Sequence, residues 1–260
     1  MGRRVRLDQL LVQRALAPSR ERAQALILAG AVRVDGERKS RSGDTVKDDA
    51  SVTLDAGPRF VSRGGEKLDA ALDELGIDVS DRVALDIGSS TGGFTDCLLK
   101  RGAARVYAVD VGKGQLDWGL RNDRRVVVME GINAREGFDL PEPVAQIVAD
   151  VSFISLRLAL VPSLRHLREG GDVVALVKPQ FEAGRDAVGR GGIVRDPAAR
   201  AAAVVAVAGA LAAAGAPVVA VVPSRVPGRE GNREIFVHAR RGATGLDERS
   251  LRAEAERAAQ

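Results

Sequence analysis

Asp86 and Asp110 each close a short apolar run, and a Gly/Ser-rich turn follows the first of them. The stretch Val83-Ala84-Leu85-Asp86-Ile87-Gly88-Ser89-Ser90-Thr91-Gly92-Gly93-Phe94-Thr95 reads as a strand, a tight turn and the start of a helix. In that arrangement backbone N–H groups can approach a ligand closely. Its glycines follow neither the G-x-G-x-x-G spacing of a dinucleotide site nor the phosphate loop that ends in Gly-Lys-Ser/Thr. A second apolar run, Arg105-Val106-Tyr107-Ala108-Val109, ends in Asp110, where a carboxylate can hold two vicinal ribose hydroxyls. The combination suits a nucleoside without a pyrophosphate, and S-adenosylmethionine is the commonest such cofactor.

Four more charged residues occupy places suited to chemistry. Lys67 lies in Ser62-Arg63-Gly64-Gly65-Glu66-Lys67-Leu68, and Asp150 ends the apolar run Ile147-Val148-Ala149. Lys178 ends Val173-Val174-Ala175-Leu176-Val177, and Glu234 opens the late run Ile235-Phe236 after Gly231. A charge at the end of a buried strand is costly unless it has a role or a partner. Seven strands are expected to position these residues, near 83–87, 105–109, 126–129, 146–150, 172–177, 218–222 and 235–239. Helices fill most gaps, including 66–75, 93–101, 155–167 and 197–214. Strands alternating with helices signal an α/β class built on a doubly wound, Rossmann-like sheet, with ligands outside the carboxyl ends of the strands. Asp86, Asp110, Asp150 and Lys178 all fall at that edge.

At 260 residues, 45% hydrophobic and 28% charged, the composition is that of a soluble globular protein of one or two domains. The single cysteine, Cys97, excludes an internal disulfide, reads as a core residue, and leaves no cluster for a metal. The uncharged stretch 201–222 is mostly Ala and is broken by Gly209, Gly215 and Pro217, so a buried helix and strand are expected there, not a membrane span. The basic amino terminus lacks the apolar core of a signal peptide, and a cytoplasmic location is the expectation.

Net charge is only +4, yet residues 1–41 hold ten Arg and Lys against four acids. That polarity points to a polyanion-binding module ahead of a separate working domain. Leu7, Leu10, Leu11 and Ala15 form a helical stripe, and Ser19 is placed to cap a second helix, 20–28. Ala31-Val32-Arg33-Val34-Asp35-Gly36 is a strand entering a turn. The order Arg6-Leu7-Asp8, Leu11, Ser19-Arg20, Ala23, Ile27, Gly30, Val32 to Gly36 and Gly43-Asp44 resembles the RNA-binding domain of the ribosomal protein S4-like class. The resemblance implies RNA contact by Arg3, Arg4, Arg6, Arg20, Arg22, Arg33, Arg38, Lys39 and Arg41. No aromatic residue lies in 1–57, so phosphate and shape contacts are expected to dominate over base stacking.

Lys67, Asp150, Lys178 and Glu234, with the Asp86–Phe94 turn between the first two, resemble the Lys-Asp-Lys-Glu tetrad of FtsJ-type ribose 2'-O-methyltransferases. With the RNA-binding unit ahead of it, the chain is similar throughout residues 3–241 to the TlyA family. That family methylates a cytidine ribose in ribosomal RNA, and its members are often called haemolysins. The resemblance implies an S-adenosylmethionine site at Asp86, Gly88, Ser89, Ser90, Gly92, Gly93, Phe94, Asp110 and Asn133, with ribosomal RNA or ribosomal subunits as partner. It places Lys178 facing the target hydroxyl, either as base or as a cation beside the developing alkoxide. The expected division is an RNA-binding domain over 1–57, a linker over 58–65, a methyltransferase domain over 66–242 and a polar tail, helical or disordered, over 243–260. Arg59-Phe60-Val61 departs from relatives that carry Arg and Trp there. The Gly- and Arg-rich segment from Glu182 to Gly192 reads as a lid over RNA. A non-catalytic ribosome-assembly factor and a membrane-active haemolysin are the competing functions. The first conflicts with the intact tetrad and turn, the second with the lack of an insertion segment.

Overall fold

A computed structural model describes residues 3–55, 58–228 and 231–260, apart from the side chain of Arg185. Ala56 and Gly57, the end of the expected RNA-binding domain, and Met1-Gly2 of the basic terminus lie outside the described residues. Two compact units divide the chain, one up to Arg59 and one from Phe60 onward.

The first unit contains β1 (Arg4–Arg6), α1 (Leu7–Gln13), α2 (Arg20–Leu28), β2 (Val32–Val34), β3 (Glu37–Lys39), β4 (Thr45–Lys47) and β5 (Val52–Leu54). Ser19 caps α2, its hydroxyl accepting from the Arg22 backbone N–H at 3.2 Å. Asp35 and Gly36 both take positive φ, +52° and +84°, the two-residue turn that joins β2 to β3 with the strand twist preserved. β5 pairs with the other edge of β2, and β1 pairs with β4 in a separate ladder. Leu7, Leu10, Leu11, Ala23, Ile27, Val32 and Val34 form its core.

The second unit carries the seven-stranded sheet. Its elements are α3 (Arg63–Leu75), β6 (Val83–Ile87), α4 (Gly93–Lys100), β7 (Arg105–Asp110), α5 (Trp118–Arg121), β8 (Val126–Glu130), β9 (Val144–Ala149) and α6 (Leu156–Ser163), followed by β10 (Leu167–Val177), α7 (Pro179–Glu182), α8 (Pro197–Ala213), β11 (Val218–Pro223), β12 (Ile235–Arg240) and α9 (Glu248–Ala258). The strand order is β11-β12-β10-β9-β6-β7-β8. β6 to β10 run parallel, and β12 runs antiparallel to both of its neighbours. Successive strand residues face opposite layers, as the period of two requires. Ala84, Val106 and Ala108 join a core with α3 and α4, whereas Leu85, Tyr107 and Val109 join one with α6, α8 and α9.

Two boundaries differ from the sequence expectation. Phe60 is buried in the second core, and a Cβ on Gly65 would stand 2.4 Å from its Cβ, so residues 60–65 belong to the second unit and α3 begins three residues early. Residues 243–260 are likewise no loose tail. Ala255, Ala258 and Ala259 are buried, and Glu254 accepts the Val221 backbone N–H of edge strand β11 at 3.0 Å. The helix covers an edge that would otherwise present unpaired donors.

Candidate active site

The sheet register brings three of the four tetrad residues to one place. Ala149 pairs with Ile87 on β6 and with Ala175 on β10, so Asp150 leaves the sheet between those two strands. Val177 pairs with Ile235; one step further along that antiparallel ladder are Lys178 and Glu234. Lys67, on the second turn of α3, completes the group. Lys178 Nζ lies 2.6 Å from Asp150 Oδ1 and donates to Ser152 Oγ at 2.9 Å. Lys67 Nζ lies 2.5 Å from Glu234 Oε2, and both of these side chains are buried. The four residues thus form two ion pairs, Lys178–Asp150 and Lys67–Glu234, each lysine facing a carboxylate and not the other lysine.

The Gly/Ser turn stands against the same edge. Gly88 has φ +80°, and a Cβ there would meet the Asp150 carbonyl oxygen at 2.8 Å; only glycine lets the turn pass this close. Ser90 also has a positive φ, +49°. Its N–H donates to Asp110 Oδ2 at 2.8 Å, while Asp110 Oδ1 accepts from Gly112 N–H at 2.7 Å. Asp110 therefore clasps the turn from the end of β7. Ser89 is buried, and Gly92, at φ +96°, and Gly93 lead into α4. Asp86 lies beneath. Its Oδ2 accepts from the Thr95 hydroxyl at 2.6 Å, whereas its Oδ1 is buried with no hydrogen-bond partner. Burial pushes its carboxyl up to about 7, the Thr95 bond opposing and the nearby Asp150 and Asp110 charges adding.

Two expected cofactor residues differ from that picture. The Phe94 ring is buried and stacked on Phe236, centroids 6.2 Å apart, so only its backbone N–H at the start of α4 is left for a ligand. Asn133 spends its amide within its own turn, donating to Glu136 Oε1 at 2.6 Å and accepting from Arg135 N–H at 3.2 Å. It lines a cavity of about 490 Å³ with Arg157, Leu158 and Val161.

Sequence reasoning missed the residues that frame the pair. Phe153 is 86% exposed, adopts φ +67°, and packs 5.4 Å from the ring of Phe181. The Glu182 side chain is 2% exposed and accepts from Ser155 and Leu156. Asn232 is buried and grips the Gly/Arg-rich segment, its Oδ1 accepting from Val194 N–H and its Nδ2 donating to the Gly192 carbonyl. With the Gly189–Ile193 bridge, that segment is a pinned turn, not a free flap. None of these residues stood in a charge pattern at a strand end, so no sequence signal singled them out.

In the amino-terminal unit, six of the nine expected RNA-binding residues have side-chain work in the free protein. Arg6 and Arg20 bond to the buried Asp8. Arg33 and Arg38 bond to Asp55, Lys39 pairs with Glu37, and Arg4 donates to the Thr45 carbonyl. Among the described residues, Arg3, Arg22 and Arg41 are exposed with no side-chain partner.

Residues 60–241 match the family model for FtsJ-like methyltransferases, and residues 5–52 match that of the S4 domain. The chain belongs to the FtsJ-like methyltransferase family. It is 48% identical to the 16S/23S rRNA (cytidine-2'-O)-methyltransferase TlyA of Mycobacterium tuberculosis, over 91% of this chain and 90% of that protein. Hemolysin A of Brachyspira hyodysenteriae is 46% identical over 74% of this chain and 81% of its own length. A hemolysin-named structure from Streptococcus thermophilus superposes with a TM-score of 0.72 at 38% identity, covering 99% of this chain and 96% of that one. Among the described residues no helix is long and apolar enough to cross a membrane, and no cluster of potential metal ligands is present.

Proposed function

We propose that this protein transfers the methyl group of S-adenosylmethionine to the ribose 2'-hydroxyl of a cytidine in ribosomal RNA. The observation that carries the reading is the Lys178 ammonium held by Asp150 and Ser152, with the Asp150 backbone against the Gly88 turn. The rRNA methyltransferase named among the 48%-identical relatives supports the substrate.

The residues present fit the cofactor. The Asp86 oxygen without a partner, the left-handed backbone at Gly88 and Ser90, and the Asp110 carboxylate at the end of β7 supply an anion and tight turns for a cationic nucleoside. Asp110 would hold the ribose hydroxyls, and the N–H groups of Gly93 and Phe94 at the head of α4 would face the methionine carboxylate. When bound, the sulfonium supplies an electrophilic methyl and a neutral leaving thioether.

This chain's task is then to align and polarise a poor nucleophile. An ammonium has three N–H donors; Lys178 donates one to Ser152 and is ion-paired with Asp150. A donor not spent on Ser152 is then available for the 2'-oxygen. An ammonium held there would stabilise the developing alkoxide, and the Asp150 carboxylate beside it would accept the hydroxyl proton. The Lys67–Glu234 pair, more deeply buried, braces the start of β12 opposite Lys178. Arg3, Arg22 and Arg41, with the partnered arginines around them, supply phosphate contacts from the amino-terminal unit.

The test is Lys178→Ala assayed with labelled cofactor on unmethylated ribosomal subunits. Methyl transfer is abolished while RNA affinity is retained; sustained turnover would remove Lys178 from the chemistry.

A further inference from the structure

We infer that Glu182 is a positioning residue for methyl transfer: it locks the segment that carries Lys178 onto the segment that carries Asp150. The inference rests on the proposed role of that ion pair and names what holds it in register.

The chain leaves β9 at Asp150 and enters α6, whereas it leaves β10 at Lys178 and enters α7. The two exits start side by side on adjacent parallel strands and lead to different helices. Nothing in the sheet itself fixes one exit against the other beyond the strand ends. Between them run five contacts in sequence order. Lys178 meets Asp150 and Ser152, Phe181 meets Phe153, and Glu182 meets Ser155 and Leu156.

The last of these differs in kind from the rest. Ser155, the N-cap residue of α6, makes no side-chain cap bond of its own. Its hydroxyl instead donates to Glu182 Oε2 at 2.7 Å, and the Leu156 N–H donates to Glu182 Oε1. The carboxylate therefore caps α6 from outside, at a helix terminus that favours an anion. Arg157 Nε stands 3.6 Å from the same carboxylate. The Glu182 side chain is only 2% exposed, and a buried carboxylate persists only when its oxygens are bonded and its charge is compensated. Between the two ties, Phe153 takes a left-handed backbone, φ +67°, which a bulky residue holds only when its surroundings over-determine it. Ser152 before it is tied by Lys178, and Ser155–Leu156 after it by Glu182. Freed of the second tie, this loop can relax and carry Asp150 and Ser152 away from Lys178. A misplacement of about 1 Å at reacting groups can cost about a hundredfold in rate.

The experiment compares Glu182→Ala, Glu182→Gln and Lys178→Ala in steady-state methylation of ribosomal subunits, with thermal melting and RNA affinity measured on each. Glu182→Ala is expected to lower kcat by about ten- to a hundredfold, with KM for RNA within about threefold of the parent. Glu182→Gln keeps one acceptor and the same volume, so it recovers part of the loss and melts like the parent. A parental kcat in Glu182→Ala overturns the inference, as does a loss seen entirely in KM. Should the alanine variant fail to fold, Glu182→Gln decides: a kcat reduced by about threefold or more in a normally melting protein supports the tie, and a parental kcat refutes it. Turnover by Lys178→Ala would overturn the underlying reading of the ion pair, an outcome distinct from either result at Glu182.

Discussion

Asp86→Asn is expected to change the pH dependence of stability in a direction fixed by the structure. The wild-type carboxyl is fully buried, with one oxygen bonded to Thr95 and the other unpartnered, and burial pushes it up to about 7. An unfolded aspartate titrates near 3.9, and one pKa unit corresponds to about 1.36 kcal/mol, so the gap of about three units amounts to about 4 kcal/mol. Because the folded value lies above the unfolded one, the contribution is present in full below about pH 4 and lost as pH rises through about 7. Asparagine does not titrate. The stability of Asp86→Asn relative to wild type should therefore climb by about 4 kcal/mol between pH 4 and pH 8.5. Urea denaturation followed by far-ultraviolet circular dichroism, run on both proteins across that range, cancels the other titrating groups. A difference that stays flat to within about 1 kcal/mol would refute the burial argument. The same logic reaches the ligand: a cationic cofactor over the turn favours ionised Asp86, so its affinity should rise through pH 7 in wild type and stay level in Asp86→Asn.

Other perturbations have equally definite outcomes. Lys67→Met leaves Glu234 buried without its partner and should cost about 3–5 kcal/mol in denaturant unfolding, while adding Glu234→Leu restores most of the stability and none of the activity. Asp8→Asn removes a negative charge from a basic unit, yet it should weaken RNA binding in filter-binding titrations. Asp8, held well below the usual carboxylate range chiefly by Arg6, aims Arg6, Arg20 and Gln24 from a buried position; tighter binding would mean that charge alone matters. Reversing Arg22 and Arg41 to Glu should weaken RNA affinity and reduce the logarithmic salt slope by about one to two, and an unchanged slope would move the RNA surface elsewhere.

The sheet was legible in the sequence because each buried strand is a run of β-branched and apolar residues ended by a charge, a glycine or, in β11, a proline. The seven strands fall where those runs predict them, with β10 starting five residues early through the bulge between Leu167 and Asp172. Asp150, Lys178 and Glu234 were legible for the same reason, as charges at strand ends, but the pairing of the tetrad, Lys67 on α3 included, was not. Which lysine faces which carboxylate depends on the antiparallel register of β12 against β10, a contact between residues far apart in the chain. Glu182 and Asn232 were illegible because each acts on backbone groups of a distant loop and belongs to no local pattern. That the Phe94 ring packs into the core was not legible either, since a residue at the turn can bury its ring while its N–H stays at the turn. The carboxyl-terminal helix looked polar because its buried face is made of alanines, which barely register as hydrophobic.

Mapping the methyl group on the RNA product tests the central claim most directly. Ribosomal RNA from subunits incubated with the protein and isotopically labelled S-adenosylmethionine is digested to nucleosides and analysed by mass spectrometry. The label is predicted on the ribose of cytidine, as 2'-O-methylcytidine, and to vanish with Lys178→Ala. Label on a base, on a protein or nowhere would contradict it.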